Sequence, residues 1–120
     1  MARLLYLSAA GPDDSDRAAL PFLLAIGAAE AGHEANVCLL DAAISLLQDE
    51  VARTTIPAHW PRLRELIATA VTLGVLIHVA QRGARPDGID ERDLMSKNAR
   101  FLTYRNLADL CLDVDRVISV

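Results

Sequence analysis

The chain has 120 residues, 52% hydrophobic but only 4% aromatic, with a formal net charge of −4 and a pI near 5.2. That length fits one domain able to bury roughly two-thirds of its unfolded surface, with a core of Leu, Ile, Val and Ala rather than rings. The acidic balance excludes a general nucleic-acid binder, which needs a basic face to neutralise phosphates.

Eleven of the twelve basic residues are arginine, Lys97 being the one lysine. The longest apolar region, Ala18 to Ala31, is interrupted by Pro21 and contains Glu30, so it falls short of the ~20 residues of a membrane span. Four apolar residues between Arg3 and Ser8 are too few for a signal core. A soluble, cytoplasmic protein without a membrane partner is expected. The two cysteines, Cys38 and Cys111, stand far apart in apolar surroundings. They make neither a disulfide framework nor a zinc site and read as buried core thiols.

In chain order, Leu4 to Leu7 reads as a buried first strand ended by Ser8 and Gly11. Asp14 or Ser15 can cap the helix that follows, which stops at Gly32. Pro21 would kink that helix or delay its start. Its run is apolar nearly all round, the pattern of a helix buried on every side, which in so small a domain points to a subunit interface. Ala35 to Leu40 is a second strand, and Asp41 can cap a short helix over Ala42 to Leu47. Asp49 to Pro61 is expected as a loop. Arg62 to Leu73 is an amphipathic helix with Leu63, Leu66, Ile67 and Ala70 inward and Arg62, Arg64 and Glu65 outward.

Gly74 ends that helix, and Val75 to Val79 forms a buried third strand. Asp90 is placed to cap a short helix from Glu91 to Met95. Ala99 to Thr103 reads as a fourth strand, a helix starts near Asn106, and Arg116 to Val120 is a fifth strand. The alternation of strand and helix predicts an α/β fold: three α/β/α layers around a mostly parallel five-stranded sheet, in a single domain spanning the chain. Strand order cannot be deduced from the pattern.

In such sheets ligands bind in loops at the carboxyl ends of strands. This directs attention to Gln81-Arg-Gly-Ala-Arg-Pro-Asp-Gly88. Arg82 and Arg85 flank Gly83 there, and an arginine fork suits carboxylate, phosphate or sulfate groups. The plainer reading is a solvated pair joined to Asp87 or Glu91.

His78 shares a strand face with Leu76 and could serve as an acid or base. A hydrogen-bonded core histidine is the plainer alternative. Asp13, Asp14 and Asp16 read as capping acids more simply than as a cation site. Trp60, within His59-Trp60-Pro61, could form a lid over a ligand, or could anchor the entry of the next helix by packing under the loop. No dinucleotide or P-loop glycine pattern is present. No cofactor or metal is expected.

Gly11-Pro-Asp-Asp with Arg17-Ala18, Ala31-Gly-His-Glu34, Leu73-Gly-Val75, Arg85, Gly88, Leu107-Ala-Asp109 and Asp115-Arg-Val117 together resemble the DsrE/DsrF-like family. The resemblance covers almost the whole chain. It implies a three-layer α/β/α domain assembled as a homo-oligomer, commonly a trimer or hexamer. It also implies a link to sulfur relay, in which a cysteine after the third strand carries a persulfide. Aligning Gly74-Val75 and Gly88 with the family places Ala80 and Gly83 at the expected cysteine positions.

The combined reading is a DsrE-like oligomeric domain without the relay cysteine, expected not to be a sulfurtransferase and to bind a small anionic ligand or a partner. His78, Gln81, Arg82, Gly83, Arg85 and Trp60 are the candidate ligand residues. The alternative is a sulfur-handling protein using Cys111 or Cys38, which needs an accessible thiolate.

Overall fold

Five short strands are all parallel in the computed structural model, which describes residues 1–81, 89 and 91–120. They are β1 (Arg3–Ser8), β2 (Glu34–Leu39), β3 (Leu76–Gln81), β4 (Ala99–Thr103) and β5 (Arg116–Ser119), in the order β4-β3-β2-β1-β5. The helices are α1 (Ser15–Glu30), α2 (Asp49–Thr54), α3 (Leu63–Thr72), α4 (Glu91–Met95) and α5 (Tyr104–Asp113). A 3-10 turn covers Asp41–Leu47. The expected parallel sheet between helical layers is therefore what the chain forms.

The two faces are covered unequally. Phe22 and Ala25 of α1, Leu63 and Ile67 of α3, and Leu94 of α4 join Val37, Leu39, Ile77 and Val79 in one large core. The opposite face holds a smaller cluster, in which Leu107 of α5 and Val114 pack with Leu5, Cys38 and Ala80. Strand side chains alternate between faces, and the parallel register aligns Cys38 with His78 and His78 with Arg100 on the α5 side.

Local chemistry accounts for most boundaries. Asp14 caps α1, its carboxylate accepting from the Arg17 amide at 3.3 Å. Pro21 sits inside α1, buried, and neither delays nor ends the helix. Gly74, at φ +84°, turns the chain from α3 into β3 in a conformation that favours glycine. Gly11 is required for space: a Cβ there would meet Ala42 Cβ and its carbonyl oxygen at 2.8 Å. The inward residues of α3, Leu63, Leu66, Ile67 and Ala70, are all buried as the spacing predicts.

Asp41 does not cap the segment after β2: it is the first residue of the 3-10 turn, whose start has no side-chain cap. Three further places differ from expectation. The stretch expected as a loop after Asp49 opens with α2, which has Asp49 and Glu50 in its first turn and buries Ala52. An Arg53–Glu50 pair one turn apart and the Thr54 hydroxyl donating to the Glu50 carbonyl support this short turn. α5 starts at Tyr104, two residues before Asn106, because the Thr103 hydroxyl accepts from the Asn106 amide at 3.1 Å. β3 runs to Gln81, which leaves His78 in mid-strand.

Candidate functional site

The outgoing connections of β3 and β4 part to opposite faces. Ile89 and Leu94, after β3, pack into the large core, whereas α5, after β4, covers the other face. Neighbouring strands whose connections diverge leave a crevice at their carboxyl ends, the usual ligand position in open α/β sheets. Gln81 and Thr103 are register partners at this crevice. Gln81 Oε1 is buried and has no hydrogen-bond partner among the described residues, leaving an acceptor open to a ligand donor.

Arg82, Gly83 and Arg85, the proposed ligand loop, lie outside the described residues, as do Asp87 and Asp90. Trp60 precedes α3, which runs back from the carboxyl edge to the start of β3. Its loop is tied to α1 by the Ala58 amide, which donates to Asp16 Oδ1 at 2.8 Å. Trp60 is 54% exposed, so it does not anchor the helix entry by burial. Along the same edge, a cavity of about 300 Å³ opens between Ser8, Ala10, Arg17, Leu40 and Ser119.

His78 does not join this edge. It is 1% exposed and points to the face opposite Gln81, three residues away. Arg100 Nε donates to His78 Nδ1 at 3.1 Å. This leaves the proton on Nε2, which donates to Asn36 Oδ1 at 2.9 Å. Asn36 Nδ2 in turn donates to Glu34 Oε2 at 3.1 Å and to the Leu4 carbonyl.

Arg3 completes the belt, giving Nε to Glu34 at 2.9 Å and a terminal nitrogen to Asp113 at 3.0 Å. The belt thus runs through β1, β2, β3 and β4, then reaches the last residue of α5. Burial first, and the Arg100 charge second, push the His78 pKa down to about 4; the neutral ring follows from both. The hydrogen bond from Arg3 holds Glu34 below the usual carboxylate range.

Sequence reasoning missed this belt. Asn36 and Arg100 look like ordinary polar strand positions, and Arg3 and Glu34 fall just before the expected strands, until the register sets all four side by side. The only advance signal was period-two alternation, which placed His78 with Leu76.

The thiols lie on this same face, Cys38 in β2 beneath α5 and Cys111 on α5 itself. Cys38 is fully buried, and desolvation pushes its pKa up to about 12. Cys111 is half-buried beside the same small cluster, more open than the expected core thiol. Among the described residues no group of three His, Cys, Asp or Glu is placed to hold a metal. No helix there is long and apolar enough to cross a membrane.

A family model for DsrE/DsrF-like proteins matches residues 2–120. The chain belongs to the DsrE/DsrF-like family. Two solved structures share the fold of this DsrE-like protein. The ychN protein from E. coli matches with a TM-score of 0.70 at 14% identity, over 100% of both chains. A conserved protein of unknown function from Bacteroides thetaiotaomicron matches with a TM-score of 0.68 at 14% identity, over 99% of this chain and 95% of that one. No curated protein matches.

Proposed function

We propose that this DsrE-like protein is a binding module rather than a sulfur carrier. It assembles with copies of itself, as a trimer or hexamer by family resemblance, and takes a small anionic ligand at the carboxyl edge beside Gln81, Arg82 and Arg85. The state of its thiols carries the reading. Persulfide relay needs an accessible thiolate, and Cys38 is buried with its pKa raised to about 12. Ala80 and Gly83 stand where the family resemblance puts the relay cysteine. The unpartnered Gln81 Oε1 supports a ligand contact at that edge.

Sulfur handling through Cys111 is the second reading, favoured by the partial exposure of that thiol. Treatment of the native protein with a persulfide donor, followed by alkylation and mass measurement, separates the two. The binding-module reading expects no stable sulfane sulfur on either cysteine and labelling of Cys38 only after unfolding. Rapid, saturating persulfidation of Cys111 near neutral pH, lost in Cys111→Ser, would replace it with the second reading. Light scattering tests assembly independently: a stable monomer at micromolar concentration removes that part.

A further inference from the structure

Arg100 is the side chain shared by two cavities. One, of about 420 Å³, sets it opposite Asp109 and Asp113 of α5. The other, of about 350 Å³, lies at the amino-terminal corner of β3 and β4. Its wall includes Leu76, Leu94, Met95 and Ala99, with His78, Asn98 and Arg100 as polar groups and no acid among the described lining residues; the Asn98 amide already donates to the Val75 carbonyl. Leu76 and Met95 are 37% and 80% exposed, so apolar surface is open at the rim. This corner is remote from the carboxyl edge, because it lies at the entry ends of the strands.

Arg100 Nε is held by His78 Nδ1. Its terminal nitrogens have no carboxylate partner among the described residues. The guanidinium is therefore oriented by a buried, neutral ring and makes no ion pair among the described residues, while Asp109 and Asp113 face it only across the neighbouring cavity. A planar carboxylate is the group a free arginine edge binds bidentately. Small-molecule sites combine an apolar wall with a few fixed polar groups in about 300–1,000 Å³, and this corner has that composition. Asp109 and Asp113 repel an anion from the other cavity and leave the acid-free one as its place.

We propose that the β3–β4 corner is a binding site for a small monocarboxylate with an apolar body. The carboxylate pairs with the terminal nitrogens of Arg100, and the hydrocarbon part covers Leu76 and Met95. This site is separate from the carboxyl-edge site and does not rest on it. Binding is also felt by the belt. A carboxylate neutralises the charge that helps keep the His78 ring unprotonated, so occupancy raises the His78 pKa by linkage.

Hexanoate is a suitable probe, with imidazole NMR signals of the full chain as the readout. The expected result is a saturable shift of the His78 resonances and a raised His78 titration midpoint at saturation. Hexanoate should bind at least ~10-fold more tightly than acetate, since each buried CH₂ contributes ~0.8 kcal/mol. Arg100→Gln should weaken binding at least ~10-fold, the loss of a charged hydrogen-bond pair. Met95→Glu, at an exposed position that leaves Arg100 in place, should also weaken it and guards against misfolding of the first variant. Absence of saturation, equal affinity for acetate, or unchanged binding in folded Arg100→Gln or Met95→Glu would overturn the proposal. So would His78 shifts that follow protein concentration without hexanoate, the mark of a second copy in the corner.

Discussion

The two faces of the sheet solve the same burial problem differently. Under α1 and α3, Phe22, Val37, Leu39, Leu63, Ile77 and Val79 are all fully buried, and stability there comes from apolar area and close packing. Under α5 the apolar cluster is small, and the rest of the face carries charged and polar groups bonded into one belt. The first face depends on volume and tolerates pH change. The second depends on every donor meeting an acceptor, because an unpaired buried polar group costs ~1–3 kcal/mol.

Truncating the dry face should have the largest effect. Phe22→Ala is expected to destabilise by about 3–5 kcal/mol through lost transfer energy and a cavity, read from denaturant midpoints. A loss near 1 kcal/mol would mean that this face repacks easily, and the contrast between the faces would weaken.

Acid should act on the other face. The folded His78 pKa of about 4 lies below its ordinary value near 6.5, so the unfolded chain binds the proton first. Stability from this group is complete above about pH 6.5 and is lost as pH falls to about 4, a loss on the order of 3 kcal/mol. His78→Gln, which keeps one donor and one acceptor, should flatten that window. The carboxylate Glu34, held below its ordinary range, would still give losses at lower pH. An unchanged profile in His78→Gln would remove the histidine from the account.

Cutting the belt at Asn36 sharpens the comparison further. Asn36→Ala leaves the His78 Nε2 proton and one bond to Glu34 unmet, and should cost about 2 kcal/mol. Asp14→Ala, which removes only the α1 cap, should cost about 1 kcal/mol. If the cap variant proves more damaging than Asn36→Ala in thermal melts, the belt is not a stabilising element.

Some of this could be read without coordinates. The inward positions of α3, the strand at Ala99–Thr103 and a cap at Asp14 or Ser15 follow from spacing and side-chain chemistry; the structure chose Asp14. α2 was not legible, because its few residues carry no full period and its support comes from Glu50, Arg53 and Thr54 bonding within one turn. The strand before Gln81 was legible, but it was expected to end at Val79, so Gln81 was placed in the loop rather than on the strand's last position. Its unmet oxygen was not legible, since that depends on which groups arrive from elsewhere in the chain.

The sequence by itself determined the alternation of strands and helices, the apolar composition of the main core, and the presence of only two cysteines. These follow from local periodicity and residue type. Tertiary structure alone decided the strand order, the unequal covering of the two faces, and the meeting of Arg3, Glu34, Asn36, His78 and Arg100. Their contacts join residues up to 42 positions apart in neighbouring bonds. Only the register of parallel strands brings such residues within hydrogen-bonding distance.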